Sequence, residues 1–549
     1  MKRVSIALFV LFVFTYILPL GYRPLAIPDE ARYGEIPREM LASGDWVVPH
    51  LNGLKYFEKP VFGYWANAVS IVVFGENAFA LRLPSALSVV ISALMIFLLV
   101  RRFSPRAPAS ALAPAIFLTC PLVLAIGHIT ILDSLLSMLL SGALVCFFFS
   151  HMSENKRRKN LFLSLMGIFC GLAFLTKGFL AFAVPVLVVV PFLLWEGRFK
   201  DLLRIPWIPM MTAFLIALPW SLMIHFREGD FWNYFFWTEH VARFLDPVGG
   251  QHPKPLWYFL PILVGGALPW VVQSPAAMPL VLRLEMKNPL VRFALCWFLF
   301  PFLFFSVCSG KLIPYILPCF PPLAIVFAIG LTDYFEDGKK RAFSVSAWVL
   351  AVMAVLGGAF LLFSGIVTNE EMRVYGTDEG SKWLLGSLGA FSWAFLVMWS
   401  TRMKDYRKKL VFYCAAILTF FFIANFIVPD RAMDIRAPGE LLERNLSRVT
   451  PDAILVSNDN VVRAVCWFFK RDDVKVLENA GELTYGLKHD DNGPGKFLNE
   501  DAFKKMLQGN AGIRPVILVL NRTYYEKYQD QLPTPIFMDT DNHFVFAVY

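Results

Sequence analysis

The chain has 549 residues, of which 57% are hydrophobic and 17% charged, and its mean hydropathy is +0.55. Globular domains run roughly 45–50% apolar and about 25% charged, so this composition excludes an ordinary soluble protein and predicts an α-helical polytopic membrane protein. The net charge of +9 lies in short clusters between apolar runs rather than on a continuous basic face, which speaks for orientation in a bilayer and against a nucleic-acid partner. Only Cys466 among the cysteines sits in polar sequence, and no CxxC pair occurs, so neither a zinc ribbon nor a disulfide framework is indicated.

In chain order, Met1-Lys2-Arg3 precedes an apolar run over 4–20 that no small-residue cleavage site follows, and this reads as a retained signal anchor. Residues 22–80 are predicted to be a loop whose amphipathic stretches, 36–41 and 61–75, lie along the membrane surface. Apolar runs of bilayer length then recur up to residue 428, and with the first they make about thirteen spans. Basic clusters fall in alternate loops: Arg101, Arg102 and Arg106; residues 156–159; Arg198, Lys200 and Arg204; Arg283, Lys287 and Arg292; residues 339–341; and Lys404 with 407–409. This alternation predicts a cytoplasmic N-terminus and places the other loops outside. The unusual polar motifs are all in those other loops. After residue 428 the sequence turns charged, with strand-like stretches at 453–456, 474–477, 516–520 and 544–548 and a helix-like stretch at 502–508. The predicted organisation is a transmembrane module over 1–428, with outward loops 22–80 and 225–255, and an outer soluble α/β domain over 429–549. That domain has no glycine-rich phosphate loop and no metal-ligand cluster, so it is assigned no catalytic chemistry.

Several polar residues suit chemistry at a lipid surface. Asp29 and Glu30 are adjacent and would point about 100° apart on a helix. Asp29 reads as a catalytic or sugar-orienting carboxylate and Glu30 as a structural partner of Arg32, although both also suit the capping of a surface helix. Tyr56-Phe57-Glu58-Lys59-Pro60 is extended or turned ahead of its proline. Lys59 suits a phosphate and Glu58 a divalent cation or a hydroxyl; the plainer alternative is a solvated loop pair. Asp133 opens an apolar run, where a buried acid costs roughly 2.5–3.5 kcal/mol at the centre and less near the end; it reads as functional or as an N-terminal cap. Lys177 fits a snorkelling anchor as well as a functional cation. His240 and Arg243 are three residues apart and share a helix face. Arg243, Lys311 and Tyr315 suit the surroundings of a lipid phosphate, or the role of interface anchors.

Taken in order, Asp-Glu-Ala-Arg-Tyr at 29–33, Phe-Glu-Lys-Pro at 57–60, Asp133, Leu-Thr-Lys-Gly at 175–178 and Gly-Lys-Leu-Ile-Pro-Tyr at 310–315 resemble the bacterial lipid A 4-amino-4-deoxy-L-arabinose transferases. These are GT-C-type glycosyltransferases related to protein O-mannosyltransferases, and the resemblance runs the whole length of the chain. It implies a GT-C fold in the bacterial inner membrane, periplasmic juxtamembrane helices and a periplasmic α/β domain. It also implies a donor, undecaprenyl phosphate carrying the aminosugar, and a lipid A phosphate as acceptor among the membrane lipids. By the same resemblance Asp29 and Asp133 match acids associated with activity, and Tyr56, Lys59, Arg243 and Tyr315 lie around the carrier phosphate. Glu58 and His240 meet a divalent metal ion, zinc.

The residue types agree with that chemistry. The leaving group becomes a phosphate dianion, so cations placed where the charge develops lower the barrier. A phosphate acceptor is largely ionised near neutral pH and needs a strong base less than a hydroxyl does. The aspartates then either orient substrates or act as the base. Two other readings are a protein O-mannosyltransferase using polyprenyl phosphate mannose and a non-enzymatic lipid transporter. The transporter calls for a polar path through the bundle, whereas the motifs gather on one face.

Overall fold

The computed structural model describes residues 10–104, 106–242, 253–367, 372–510 and 512–549, leaving aside the side chains of 240–242, 280 and 283–285. The chain divides into two compact units. One holds the segment up to Leu20 together with Arg82–Ile427; the other joins Gly21–Leu81 to Val428–Tyr549. The sequence reading grouped 22–80 with the spans. The structure instead folds this stretch with the C-terminal domain.

In the first unit, eight described helices are long and apolar enough to cross a bilayer: Ala78–Phe103, Leu132–His151, Lys156–Lys177, Phe199–Arg227, Pro289–Val307, Ile313–Glu336, Arg341–Ile366 and Gly380–Arg402. Two bent pairs raise the number to at most ten, so the expected thirteen is not reached among the described residues. The first run lies partly outside the described residues, which give only Val10–Gly21 of it, and local chemistry explains the other four. The run over 108–126 breaks by 63° between Ala109–Leu118 and Pro121–Gly127, where Pro121 cannot continue the hydrogen-bond ladder. The run over 256–275 breaks by 89° around Gly265, Gly266 and Pro269. Leu180–Trp195 has 16 residues and rises about 24 Å, short of a hydrocarbon core of about 30 Å. Tyr406–Ala424 opens on Arg407, Lys408 and Lys409, which belong at an interface.

The basic clusters gather at one end of these helices. Arg198 Nη1 lies 3.1 Å from His151 Nδ1, Arg292 pairs with Glu196 at 2.7 Å, and Arg106 pairs with Asp333 at 2.6 Å and Glu336 at 3.0 Å. Asp133 sits at the opposite end of the Leu132–His151 helix from His151.

In the second unit, strands β3 (Ile454–Ser457), β4 (Lys475–Leu477), β5 (Phe497–Leu498), β6 (Val516–Asn521), β7 (Phe537–Thr540) and β8 (Phe544–Val548) form one sheet in the order β5-β4-β3-β6-β8-β7. The first four are parallel, and β8 pairs antiparallel with both β6 and β7. The four stretches read as strands are all present, and so is the helix, as Glu500–Asn510. β5 and β7 went unread because two residues give no alternation and Phe537–Thr540 is half polar. β6 is buried on both faces, as a central parallel strand must be. One face packs on Phe503, Leu507, Tyr525 and Tyr528. Phe469, at the end of helix Val462–Phe469, meets Phe546 on the other.

The 22–80 stretch adds helix Asp29–Ser43 and helix Phe62–Phe74 to this unit. Trp467 joins Leu25, Ile71 and Leu81 in one apolar cluster. Phe62–Phe74 leaves Val69, Val72 and Val73 exposed, in keeping with a surface helix. Asp29–Ser43 does not lie on a surface: every residue from Glu30 to Met40 is buried. Its charges are met inside the unit, as at Arg38, which pairs with Glu35 at 2.6 Å.

Helix Lys156–Lys177 approaches Trp207–Arg227 so closely at Gly167 that an added Cβ would lie 1.8 Å from Thr212 Oγ1 and 2.3 Å from the Pro209 carbonyl oxygen. Gly357 has open space around it. Gly167→Ala is therefore expected to lower stability by about 1–3 kcal/mol, and Gly357→Ala to leave it unchanged or raised, in thermal unfolding of the detergent-solubilised protein. Equal behaviour of the two variants would contradict this packing.

Candidate active site

Asp133 is the second residue of Leu132–His151, and Lys177 the last of Lys156–Lys177. The two helices are antiparallel and joined by four residues, with Asn155 Oδ1 capping the second by accepting the N–H groups of Arg157 and Arg158. From Asp133 to His151 the first rises about 27 Å and the second about 32 Å, so both return to the same level. There Lys177 Nζ donates to Asp133 Oδ1 at 2.6 Å. The helix N-terminus favours the carboxylate and the C-terminus the ammonium. Lys177 Nζ also stands 4.8 Å from the centre of the Tyr315 ring. Exposures of 11% for the Lys177 side chain and 14% for that of Asp133 leave the pair reachable. Lys177, read as equally suited to anchoring, is thus the partner of Asp133. Hairpin length was the signal in the sequence that joins them.

Lys311 is buried and its Nζ donates to the Lys254 carbonyl at 2.8 Å, where Pro253 bridges to Gly310. Its ammonium is occupied by backbone. His240 falls in the π-helical turn Tyr234–Ala242, its side chain outside the described residues, as is all of Arg243.

The second unit assembles another cluster. Arg32 Nη2 donates to Asp29 Oδ1, one helical turn back, and Nη1 donates to Glu482. Glu482 Oε2 also accepts Tyr56 OH at 3.1 Å and Arg463 Nη2 at 2.9 Å, and Arg32 lies 4.7 Å from the Tyr33 ring centre. The expected Glu30–Arg32 pairing is replaced by Asp29–Arg32. Residues two apart on a helix point away from each other, whereas residues three apart meet. Glu30 Oε2 instead accepts the Ala26 N–H at 3.0 Å. The Asp29 side chain is half exposed.

Burial pushes the Glu482 carboxyl up, but Arg32 and Arg463 beside it outweigh this and hold it well below the ordinary glutamate value. Burial pushes the Tyr56 hydroxyl up, so it stays a donor at neutral pH. Lys59 is half-buried with Nζ on the Glu58 carbonyl at 2.7 Å, and Glu58 is buried. Glu482 and Arg463 were missed because nothing near them in the sequence signals a site. Among the described residues no group of three His, Cys, Asp or Glu side chains could hold a metal ion, and zinc takes three or four protein ligands. His240, the other ligand that the resemblance implies, has its side chain outside the described residues.

The family model for dolichyl-phosphate-mannose-protein mannosyltransferase matches residues 2–235, and that for the arabinosyl transferase ArnT C-terminal domain matches 433–548. The undecaprenyl phosphate-alpha-4-amino-4-deoxy-L-arabinose arabinosyl transferase of Shewanella sediminis is 42% identical over 495 residues, 89% of each chain. That of Yersinia enterocolitica is 36% identical over 523 residues, covering 95% of this chain and 94% of the relative. The crystal structure of ArnT from Cupriavidus metallidurans bound to undecaprenyl phosphate superposes with a TM-score of 0.84 at 23% identity, over 99% of this chain and 98% of the other. At that identity the likeness is one of fold.

Two measurements probe the clusters. Lys177→Met should destabilise by up to about 3 kcal/mol by leaving Asp133 unanswered, and Asp133→Asn in the same chain should recover most of that loss; additive losses in chemical unfolding would show the two residues to be independent. A glutamate whose folded pKa is depressed contributes stability above its ordinary value near 4.5 that is lost as pH falls. The stability gap between the parent and Glu482→Gln should therefore narrow from pH 6 to pH 3. A constant gap would contradict the assignment.

Proposed function

Because this chain belongs to the undecaprenyl phosphate-alpha-4-amino-4-deoxy-L-arabinose arabinosyl transferase family, we propose that it moves 4-amino-4-deoxy-L-arabinose from undecaprenyl phosphate to a lipid A phosphate. The carrying observation is likeness to named arabinosyl transferases along 89–95% of the chain. It is an enzyme, a lipid-carrier-dependent glycosyltransferase built on a multi-pass membrane fold. It works in the bacterial inner membrane with its N-terminus in the cytoplasm and 429–549 in the periplasm. The basic clusters gathered at the end of the helices opposite Asp133 support that orientation.

The acceptor phosphate oxygen attacks the sugar carbon that bears the carrier phosphate; the new C–O bond forms as the old one breaks, and the electron pair leaves on undecaprenyl phosphate. Negative charge develops on that leaving oxygen, so a preorganised cation stabilises the transition state more than the ground state. This role falls to Lys59, while Lys177, beside the Tyr315 ring, holds Asp133 within the helical unit. Asp29 and Asp133 are carboxylate acceptors for the sugar's hydroxyl and ammonium groups. Arg32 fixes Asp29 against its helix, and Tyr56 and Glu482 fix Arg32. Covering lipid A phosphate with a cationic sugar weakens the field that draws polycationic peptides to the surface, which gives resistance to polymyxin-like compounds.

Mass spectrometry of lipid A from cells with and without the protein tests the reading. The expected result is a shift of one aminopentose that disappears on deletion and in Asp29→Asn and Asp133→Asn, with both variants still accumulating in the membrane. Unchanged lipid A on deletion would sink it, and full activity of both variants would return the two acids to helix capping. A divalent ion at Glu58 is part of the same proposal, and transfer by purified protein that survives exhaustive EDTA dialysis removes it.

A further inference from the structure

The segment bearing Tyr56, Glu58 and Lys59 leaves a very small hairpin. Strands β1 (His50–Leu51) and β2 (Leu54–Lys55) pair over two residues each, too little to stand alone in water. The turn is Asn52-Gly53, with φ of 57° and 60°, the Asn-Gly pair that two-residue hairpin turns favour. Both turn N–H groups end on one carboxylate. Glu39 Oε1 accepts from Asn52 N at 2.6 Å and Oε2 from Gly53 N at 2.9 Å. Glu39 is buried, and it belongs to the helix Asp29–Ser43 that carries Asp29 and Arg32 at its other end.

Asn52 completes the fastening. It is fully buried; Nδ2 donates to the Val474 carbonyl at 2.7 Å, and Oδ1 accepts the Val474 N–H at 2.9 Å and Cys466 Sγ at 3.4 Å. Its own carbonyl accepts Lys496 Nζ at 2.6 Å. Past the turn, Tyr56 N–H reaches back to the Pro49 carbonyl at 2.9 Å, so Tyr56 leaves the hairpin in a set register. A carboxylate withdrawn from water is costly unless its lone pairs are used. Glutamine of the same shape meets one N–H with its oxygen but turns its own N–H group on the other.

We propose that Glu39 and Asn52 are positioning residues that clamp the Tyr56–Lys59 segment to the helix bearing Asp29, and so present Lys59 to the phosphate of the lipid-linked donor. This rests on the transferase reading above. It assigns a role in donor binding to two buried residues that touch no substrate. Displacement of a positioning element by about 1 Å can cost 100-fold in rate, so the clamp has a measurable consequence.

The experiment uses the full-length protein in nanodiscs, with undecaprenyl phosphate-linked aminosugar and lipid A as substrates. Glu39→Gln should raise the donor KM about tenfold with a smaller change in kcat, and Asn52→Gly, which keeps the left-handed turn, should act in the same sense. In a Lys59→Ala background Glu39→Gln should add little, because both act through one cation. Hydrogen exchange should quicken across residues 50–60 in Glu39→Gln and stay unchanged across Val516–Asn521. Additive losses with Lys59→Ala, or exchange that is unchanged at 50–60 or raised throughout the domain, would overturn the clamp. A parent without any transfer would overturn the functional reading, while the exchange arm would still decide whether Glu39 holds the segment.

Discussion

A charge taken out of water costs several kcal/mol unless an opposite charge or a set of hydrogen bonds answers it, and in this protein that requirement decides where the proposed site residues stand. Asp133 is answered by Lys177, Glu482 by Arg32 and Arg463, and Glu35 by Arg38. Each answer comes from a different turn or element than the charge it meets. The polar residues are thereby tied to the fold before any substrate arrives, which is the preorganisation that stabilising a developing phosphate charge demands.

In the helical unit the constraint acts through length. Two antiparallel helices joined by four residues bring Asp133 back beside Lys177, and Tyr315 closes over the ammonium. Gly167 lets Trp207–Arg227 press against the second of these helices, without a hydrophobic drive between helices in lipid, where close van der Waals approach has to serve instead. The opposite end of the bundle is a separate matter of arginines against Asp333, Glu336 and Glu196.

In the other unit, one helix does two jobs. Asp29–Ser43 presents Asp29 and Arg32 from its first turn and grips the Asn52-Gly53 turn through Glu39 from its third. The α/β domain contributes Glu482 and Arg463 to the first task and Val474, Cys466 and Lys496 to the second. A domain without a phosphate loop or metal motif therefore shapes the surroundings of the proposed donor-binding residues through ordinary hydrogen bonds.

Hydropathy alone marks this chain as multi-pass, because burial in lipid demands a long uninterrupted apolar helix and leaves a signal in every window of sequence. Strands β3, β4, β6 and β8 are legible for a similar local reason, and the ordered motifs around Asp29, Lys59, Asp133 and Tyr315 mark the family. The span count is less legible, since glycine and proline bend apolar runs that hydropathy counts as straight. Placement of the first loop with the C-terminal domain, the pairing of Arg32 with Glu482 across 450 residues and the grip of Glu39 on the hairpin turn belong to tertiary structure only. Periodicity in sequence records what happens within one turn of helix or two residues of strand. An ion pair closed by folding two distant segments together leaves no such record, because either residue by itself looks like any other charge on a surface.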